Sequence, residues 1–298
     1  MLHDAIVVGG SYAGMAAALQ LLRARRSVLV IDAGMRRNRY ASHSHGFLGQ
    51  DGVDPSEIAK NAREQLMAYP TLSWTDGHAE SAEGEKDAFS VTTADGVRYQ
   101  SRRMLFATGV SDKLPPVEGL AERWGRSVFH CPYCHGYELN QGKIGVIATG
   151  AMSVHQAQMV AEWGELTFLT NGVVSVDENT RADLVSRGVT IEETEIARLE
   201  GEADAVLADG RSLSFAGLFT APTNAPATPI AETLGCDLEE SVFGTQIRTD
   251  LAKETSVPGA FACGDAARVP HSVTLAVADG AWAGAQLHRS LVFDTAPN

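Results

Sequence analysis

The chain has 298 residues, long for one compact domain and enough for two that each bury a core. A formal net charge of −13 leaves no basic excess to attract phosphate backbones or anionic lipid, so neither nucleic-acid nor membrane partners are expected. Four cysteines, only two of them closely spaced, point to a reducing compartment, the cytoplasm, where a disulfide is catalytic rather than structural.

The apolar stretch over residues 5–22 has no basic lead and is broken by Gly9, Gly10, Ser11 and Gly14, so it reads as strand, turn and helix and not as an export signal. Residues 4–8 make the strand, the GGSYAG run over 9–14 the turn, 15–25 an Ala/Leu-rich helix and 27–32 a second strand. This β-α-β unit ends in Asp32, close to the roughly 20-residue spacing at which a carboxylate meets a ribose hydroxyl in a dinucleotide fold. Glycines at such a turn let the backbone approach a pyrophosphate at the helix N-terminus, although Ser11 stands where the fingerprint has its second glycine. Two later segments, MLFATG at 104–109 and FACGD at 261–265, read as apolar strands ending in small-residue turns suited to touching a cofactor.

Between them lies a second unit, with strand 143–148, turn 149–153, helix 154–163 and strand 166–170. Its ATGAMS turn keeps only Gly150 of the fingerprint glycines, so nucleotide binding and a unit that binds nothing both remain open. Polar, Pro-rich loops at 111–119 (SDKLPPVEG) and 221–229 (APTNAPATP) flank it and read as domain crossings. Residues 273–291 read as an alanine-rich amphipathic helix.

The CPYCH run over 131–135 carries the most chemistry, because two thiols at this spacing close into a disulfide and reopen, and so carry two electrons. The same letters satisfy the pattern for covalent haem, which would require export, and half of a zinc site, which would require a second ligand pair. Cys236 and Cys263 are solitary and read as ordinary buried cysteines, and His130 and His135 flank the pair too tightly to complete a tetrahedron, so no metal site is expected. Pro132 fixes the turn, while His130, His135 and Glu138 are placed to tune the thiols and move protons, with a surface or capping role as the alternative for either histidine.

In this order, GGSYAG, Asp32, ATG, CPYC, a degenerate second turn and CGDAA, the chain resembles the low-molecular-weight thioredoxin reductase family over nearly its whole length. The HCPYCHGYE segment, with GMRRN and HGF before it, is similar to the branch that includes the gliotoxin and holomycin dithiol oxidases. The resemblance implies an α/β fold of two Rossmann-like three-layer domains. An FAD domain, 1–112 and 223–298, would be split around an inserted NAD(P)H-binding-like domain, 113–222, that carries the cysteine pair. It also implies a homodimer.

Carried onto this sequence, the resemblance implies that Gly9, Ser11 and Gly14 approach the FAD pyrophosphate and that Asp32 holds the ribose. Asn38 and His45 would lie along the cofactor, Thr108 and Gly109 at the return crossing, and Gly264 and Asp265 at the ribityl chain. Val273, starting the last helix, would direct N–H groups at the flavin pyrimidine. Cys134 would face the flavin C4a atom, Cys131 would exchange with substrate, and His135 or Glu138 would carry the proton. After strand 166–170, where NADPH-using relatives have an arginine cluster, NGVVSVDENTR offers only Arg181; NADH, a protein donor or oxygen then stand beside NADPH. The implied function is FAD-dependent dithiol/disulfide oxidoreduction on a small-molecule or thioredoxin-like substrate. A true thioredoxin reductase and a flavin redox sensor without turnover are the alternatives.

Overall fold

In a computed structural model, residues 1–293 are described; the end of the third predicted segment, 294–298, lies outside them. The chain opens with β1 (Leu2–Val8), α1 (Tyr12–Arg23), β2 (Val28–Asp32), α2 (Pro55–Met67), β3 (Leu72–Asp76), the hairpin β4 (Ala79–Glu83) and β5 (Phe89–Thr93), and β6 (Arg98–Phe106). The middle strands form as near-continuous apolar runs because both of their faces are covered. Ala5, Val7, Val28 and Val30 face one core with α1 and α2, while Ile6, Val8, Leu29 and Ile31 face another on the opposite side. Asp54 caps α2 by accepting from the Ser56 N–H at 2.7 Å, and Pro55 takes the first helical position, where its missing N–H costs nothing.

The middle of the chain supplies β7 (Val110–Lys113), α3 (Leu120–Arg123), β8 (Val128–Phe129), α4 (Pro132–His135), β9 (Gln141–Ile147), α5 (Met152–Val160), β10 (Gly164–Leu169), α6 (Glu178–Ser186), β11 (Thr190–Glu192), the meander β12 (Ile196–Glu200), β13 (Asp204–Leu207) and β14 (Ser212–Ser214), and β15 (Gly217–Thr220). A parallel sheet runs β11-β10-β9-β15-β8. Phe168, Val146 and Phe219 pack under α5 and α6, and Leu169, Ile147 and Leu218 under the meander. The expected helix to residue 163 stops at Val160 and finishes as a 3₁₀ turn, Ala161–Trp163, before the chain extends at Gly164.

The last segment adds β16 (Thr223–Pro226), α7 (Ile230–Leu234), β17 (Leu238–Ser241), β18 (Gly244–Ile247), β19 (Ala260–Ala262) and α8 (Val273–Phe293). The crossings expected as loops are partly strands: β7 pairs antiparallel with β16, from Thr223 opposite Lys113 to Pro226 opposite Val110. Two extended segments side by side satisfy each other's backbone groups, and Pro226 sits at the strand end, where a missing donor is tolerated. The strand β6 joins the distant ends of the chain. One edge pairs with β1; on the other, Arg98–Ser101 pairs with β5 and Met104–Phe106 with β19.

Over this sheet α8 crosses α1 at backbone contact. A methyl on Gly280 would lie 2.1 Å from the Ala13 carbonyl oxygen, and one on Gly284 2.5 Å from that of Ala17. The fully buried Arg103 of β6 donates to Ser290 Oγ at 2.8 Å and to the Ser290 carbonyl at 3.0 Å, tying the far end of α8 to the sheet. Gly280→Ala is therefore expected to destabilise the protein by about 1–3 kcal/mol through overpacking against backbone. A urea midpoint that stays at the wild-type value would show that the two helices do not meet this closely.

Candidate active site

Strand β8 lies at the edge of the parallel sheet and delivers His130 and Cys131 to the start of α4. Cys131 and Cys134 form a disulfide with Cα atoms 5.4 Å apart. Pro132, with its fixed φ, opens the short helix, and the Cys134 N–H donates to the Cys131 carbonyl at 3.2 Å, closing the turn that brings the sulfurs together. Tyr133 meets Trp163 edge-on at 5.2 Å, yet remains 73% exposed, and Tyr137 is 85% exposed. Cys236 and Cys263 are free and buried, and burial pushes both thiols up.

Two histidines stand behind the pair. His135 stacks on Phe129 with centroids 4.2 Å apart, and burial, followed by the nearby His45, brings it down to about 4. Burial pushes His130 down to about 3, helped by Arg37, His271 and His135. Glu138 meets a residue from the other domain: its Oε1 lies 3.4 Å from His45 Nε2, while His45 Nδ1 is 3.6 Å from Asp51. A residue expected along the cofactor is thus brought to a residue expected to carry protons.

Of the expected cofactor residues, Gly9, Ser11 and Gly14 follow the C-terminal end of β1, Asp32 ends β2, and Thr108 and Gly109 follow β6. Gly9 takes a positive φ of 102°, and a methyl on Gly14 would lie 1.8 Å from the Gly9 carbonyl oxygen, so this turn admits no side chain at Gly14. Asp32 accepts the Gly10 N–H at 3.0 Å. The Ser11 carbonyl accepts the first helical bond of α1 from Met15, and its side chain makes no cap bond. Asn38 donates to the Tyr12 hydroxyl at 3.2 Å, which itself donates to the Pro55 carbonyl at 3.0 Å. Gly109 and Gly264 both have positive φ, and Val273 opens α8 one residue after Ser272, whose hydroxyl accepts the Leu275 N–H at 3.1 Å.

Buried side-chain atoms without a hydrogen-bond partner include Asn38 Oδ1, Thr108 Oγ1 and Asp265 Oδ1. Each belongs to a residue expected at the cofactor, and buried polar atoms are rarely left unpaired without a ligand or water. Three open hydrogen-bonding groups, a glycine turn that a side chain would fill, and an acid at the end of β2 fit a dinucleotide.

Beside the expected residues stand two cations with no expected role, the half-buried Arg37 and the buried Lys253. Arg37 binds Asp112, Asp265 and His271 at once; although burial opposes its charge, the two carboxylates hold it above its ordinary value. Lys253, 8% exposed, donates to Asp279 at 3.0 Å and to the Ala267 carbonyl at 3.0 Å, and Asp279 accepts the Gly264 N–H at 2.9 Å. The pair of arginines beside Asn38 in an acidic chain was the available signal for the first; Lys253 had none. Arg181, the expected phosphate candidate, is ion-paired with Glu193.

Residues 3–280 match the pyridine nucleotide-disulphide oxidoreductase family. The chain is 31% identical over 311 residues to thioredoxin reductase tcpT of Claviceps purpurea, covering 98% of this chain and 95% of that one. An oxidoreductase from Agrobacterium tumefaciens of known crystal structure is 54% identical, with 99% and 100% of the two chains covered and a TM-score of 0.97. The crystal structure of HlmI is 33% identical, covers 97% of this chain and 92% of that one, and has a TM-score of 0.89.

The two histidines behind the disulfide set a pH dependence. Their ordinary value is 6.5, and in the folded state they stay neutral down to about 3 and about 4. Below about pH 6.5 the unfolded chain binds the extra protons, so stability is fully present above that pH and falls as pH drops toward 4. The expected slope is up to about 1.4 kcal/mol per pH unit for each histidine. Urea unfolding between pH 7.5 and 5.0 measures it; His130→Gln and His135→Gln should each flatten the curve, and equal slopes in all three proteins would refute the assignment.

Proposed function

The chain belongs to the pyridine nucleotide-disulphide oxidoreductase family, and from that premise we propose that it is an FAD-dependent dithiol/disulfide oxidoreductase whose Cys131–Cys134 pair passes two electrons between cofactor and substrate. The family uses FAD and NAD(P)H. The observation that carries the reading is the coexistence of a disulfide at a sheet edge with the open Asn38, Thr108 and Asp265 groups that suit FAD. Bound FAD supplies a two-electron carrier that accepts electrons from the reduced pair or returns them.

In the oxidising direction a substrate thiolate attacks Cys131 Sγ, breaking the disulfide and releasing the Cys134 thiolate. The second substrate thiolate attacks the substrate sulfur of the mixed disulfide, forming the substrate disulfide and freeing Cys131 as a thiolate. Two electrons are then on the pair, and the two substrate protons go to nearby bases. His135 and Glu138 are the groups we assign to relay them onward to solvent. Gly9, Ser11, Gly14 and Asp32 would hold the pyrophosphate and ribose, with Asn38, Thr108, Gly109, Gly264, Asp265 and the start of α8 at Val273 along the rest of FAD.

The contact between Glu138 and His45 holds the cysteine turn against the cofactor domain. That arrangement favours a small dithiol or cyclic disulfide, flanked by the exposed Tyr133 and Tyr137, over a protein disulfide that would require the pair to swing outward. The surroundings of the second nucleotide turn are acidic, with Arg181 taken by Glu193 and Arg211 by Glu192 and Asp209; this supports NADH, a protein donor or oxygen over NADPH. The domain division at 112/113 and 222/223 is supported by the pairing of β7 with β16, where the chain crosses twice. We further propose a homodimer, supported by the resemblance, and a cytoplasmic location, supported by the pattern of cysteine use.

Cys134→Ser should retain FAD and lose electron transfer between cofactor and thiols by roughly 10³-fold or more. Anaerobic stopped-flow at the oxidised flavin band with a dithiol reads this, and a variant that bleaches at the wild-type rate would sink the proposal.

A further inference from the structure

The segment between β2 and α2 carries Arg37, whose guanidinium reaches three parts of the chain that are far apart in sequence. Nε and Nη2 fork onto the two oxygens of Asp112 at 2.9 and 2.5 Å. Nη1 donates to Asp265 Oδ2 at 3.3 Å and to His271 Nδ1 at 2.8 Å. The side chains are 20% exposed for Arg37, 6% for Asp112 and 19% for Asp265, so these are substantially desolvated contacts. A guanidinium only donates, so His271 accepts at Nδ1 and is neutral there.

Asp265 gives one oxygen to Arg37, while its other oxygen, Oδ1, is buried and unpartnered. A planar, always charged fork anchored on Asp112 leaves the Asp265 carboxylate little freedom to rotate. The direction of the open oxygen is therefore set by Arg37. The same residue sits beside Asn38, and its anchor Asp112 lies on β7, just beyond Thr108, so all three open groups of the site belong to segments that Arg37 joins.

We propose that Arg37 is a positioning residue of the FAD site: it holds Asp265 so that Oδ1 faces a cofactor hydroxyl and, through Asp112, ties the crossing strand β7 to the same site. The proposal rests on the FAD reading above. Without Arg37, two partly buried carboxylates would face each other uncompensated, and Asp265 would turn or take up a proton.

The test is titration of flavin-stripped protein with FAD, followed by flavin fluorescence, alongside urea unfolding of the stripped protein. Arg37→Gln should weaken FAD binding by about 10- to 100-fold, the range for a lost hydrogen bond to a charged group. Arg37→Lys, which restores charge without the fork, should recover only part of it. In an Asp265→Ala background, Arg37→Gln should change FAD affinity less than about threefold, because residues acting through one another are not additive. A purely structural role would instead give the same loss in both backgrounds, together with a lower urea midpoint, and would overturn the proposal. So would an Arg37→Gln protein that binds FAD within twofold of wild type. Should Arg37→Gln fail to fold, the Arg37→Gln/Asp112→Asn pair removes the stranded charge and is read in the same two backgrounds. Wild-type protein that takes up no FAD would defeat the cofactor reading itself, an outcome distinct from a variant that matches it.

Discussion

The strand β6 is the constraint on which the architecture depends. Its one edge is shared between β5, contributed by the first segment, and β19, contributed by the last, so a sheet interrupted by an entire inserted domain closes as one sheet. Backbone hydrogen bonds alone would leave that closure weak over the three residues of β19. The backbone contact of α8 on α1 and the buried Arg103 bridge to Ser290 add side-chain packing and polar anchoring to it. Because the glycine turn after β1 and the turn after β19 meet where Gly264 approaches Ala13, the sheet closure also assembles the cofactor site from both ends of the chain.

Charge is used sparingly in the interior: the fully buried Arg103 anchors the end of α8, and two further cations serve the region around Gly264. The half-buried Arg37 and the buried Lys253 sit beside carboxylates that orient the segment around Gly264 and Asp265, one through the side chain of Asp265 and one through the backbone of Gly264 by way of Asp279. A buried ion pair contributes little net stability once desolvation is counted, but removing one partner is costly, which makes such pairs better at holding geometry than at stabilising the fold. The histidines behind the disulfide behave in the opposite way: burial keeps them neutral, and His130, the one near Arg37, therefore does not repel it.

The legible parts of this chain were the local ones. The GGSYAG turn, Asp32 and the CPYC pair place their chemistry within a few residues; the first two stand at the ends of the strands expected to carry them, with boundaries shifted by one to three residues, while the strand β8 that delivers the CPYC pair was not foreseen. The crossing segments were read as loops because their proline content argues against strands, and what makes them strands is a partner on the far side of the inserted domain. The partners of Arg37 and the placement of His271 were hidden for the same reason. A charged residue in a polar segment looks like solvent-facing surface until the chain that buries it is known, and the contact of His45 with Glu138 likewise joins segments that no periodicity connects.

The two remaining cysteines bear on how such a protein survives its own chemistry. Cys263 directly precedes the Gly264 turn and is fully enclosed, and Cys236 is nearly so; in both, burial holds the sulfur as the unreactive thiol. Neither can intercept a mixed disulfide formed at Cys131, so scrambling is prevented by enclosure and acidity and not by the absence of other sulfur. In practical terms, alkylating reagents applied to the folded, reduced protein would mark one vicinal pair, and the extent of labelling would serve as a direct gauge of its redox occupancy.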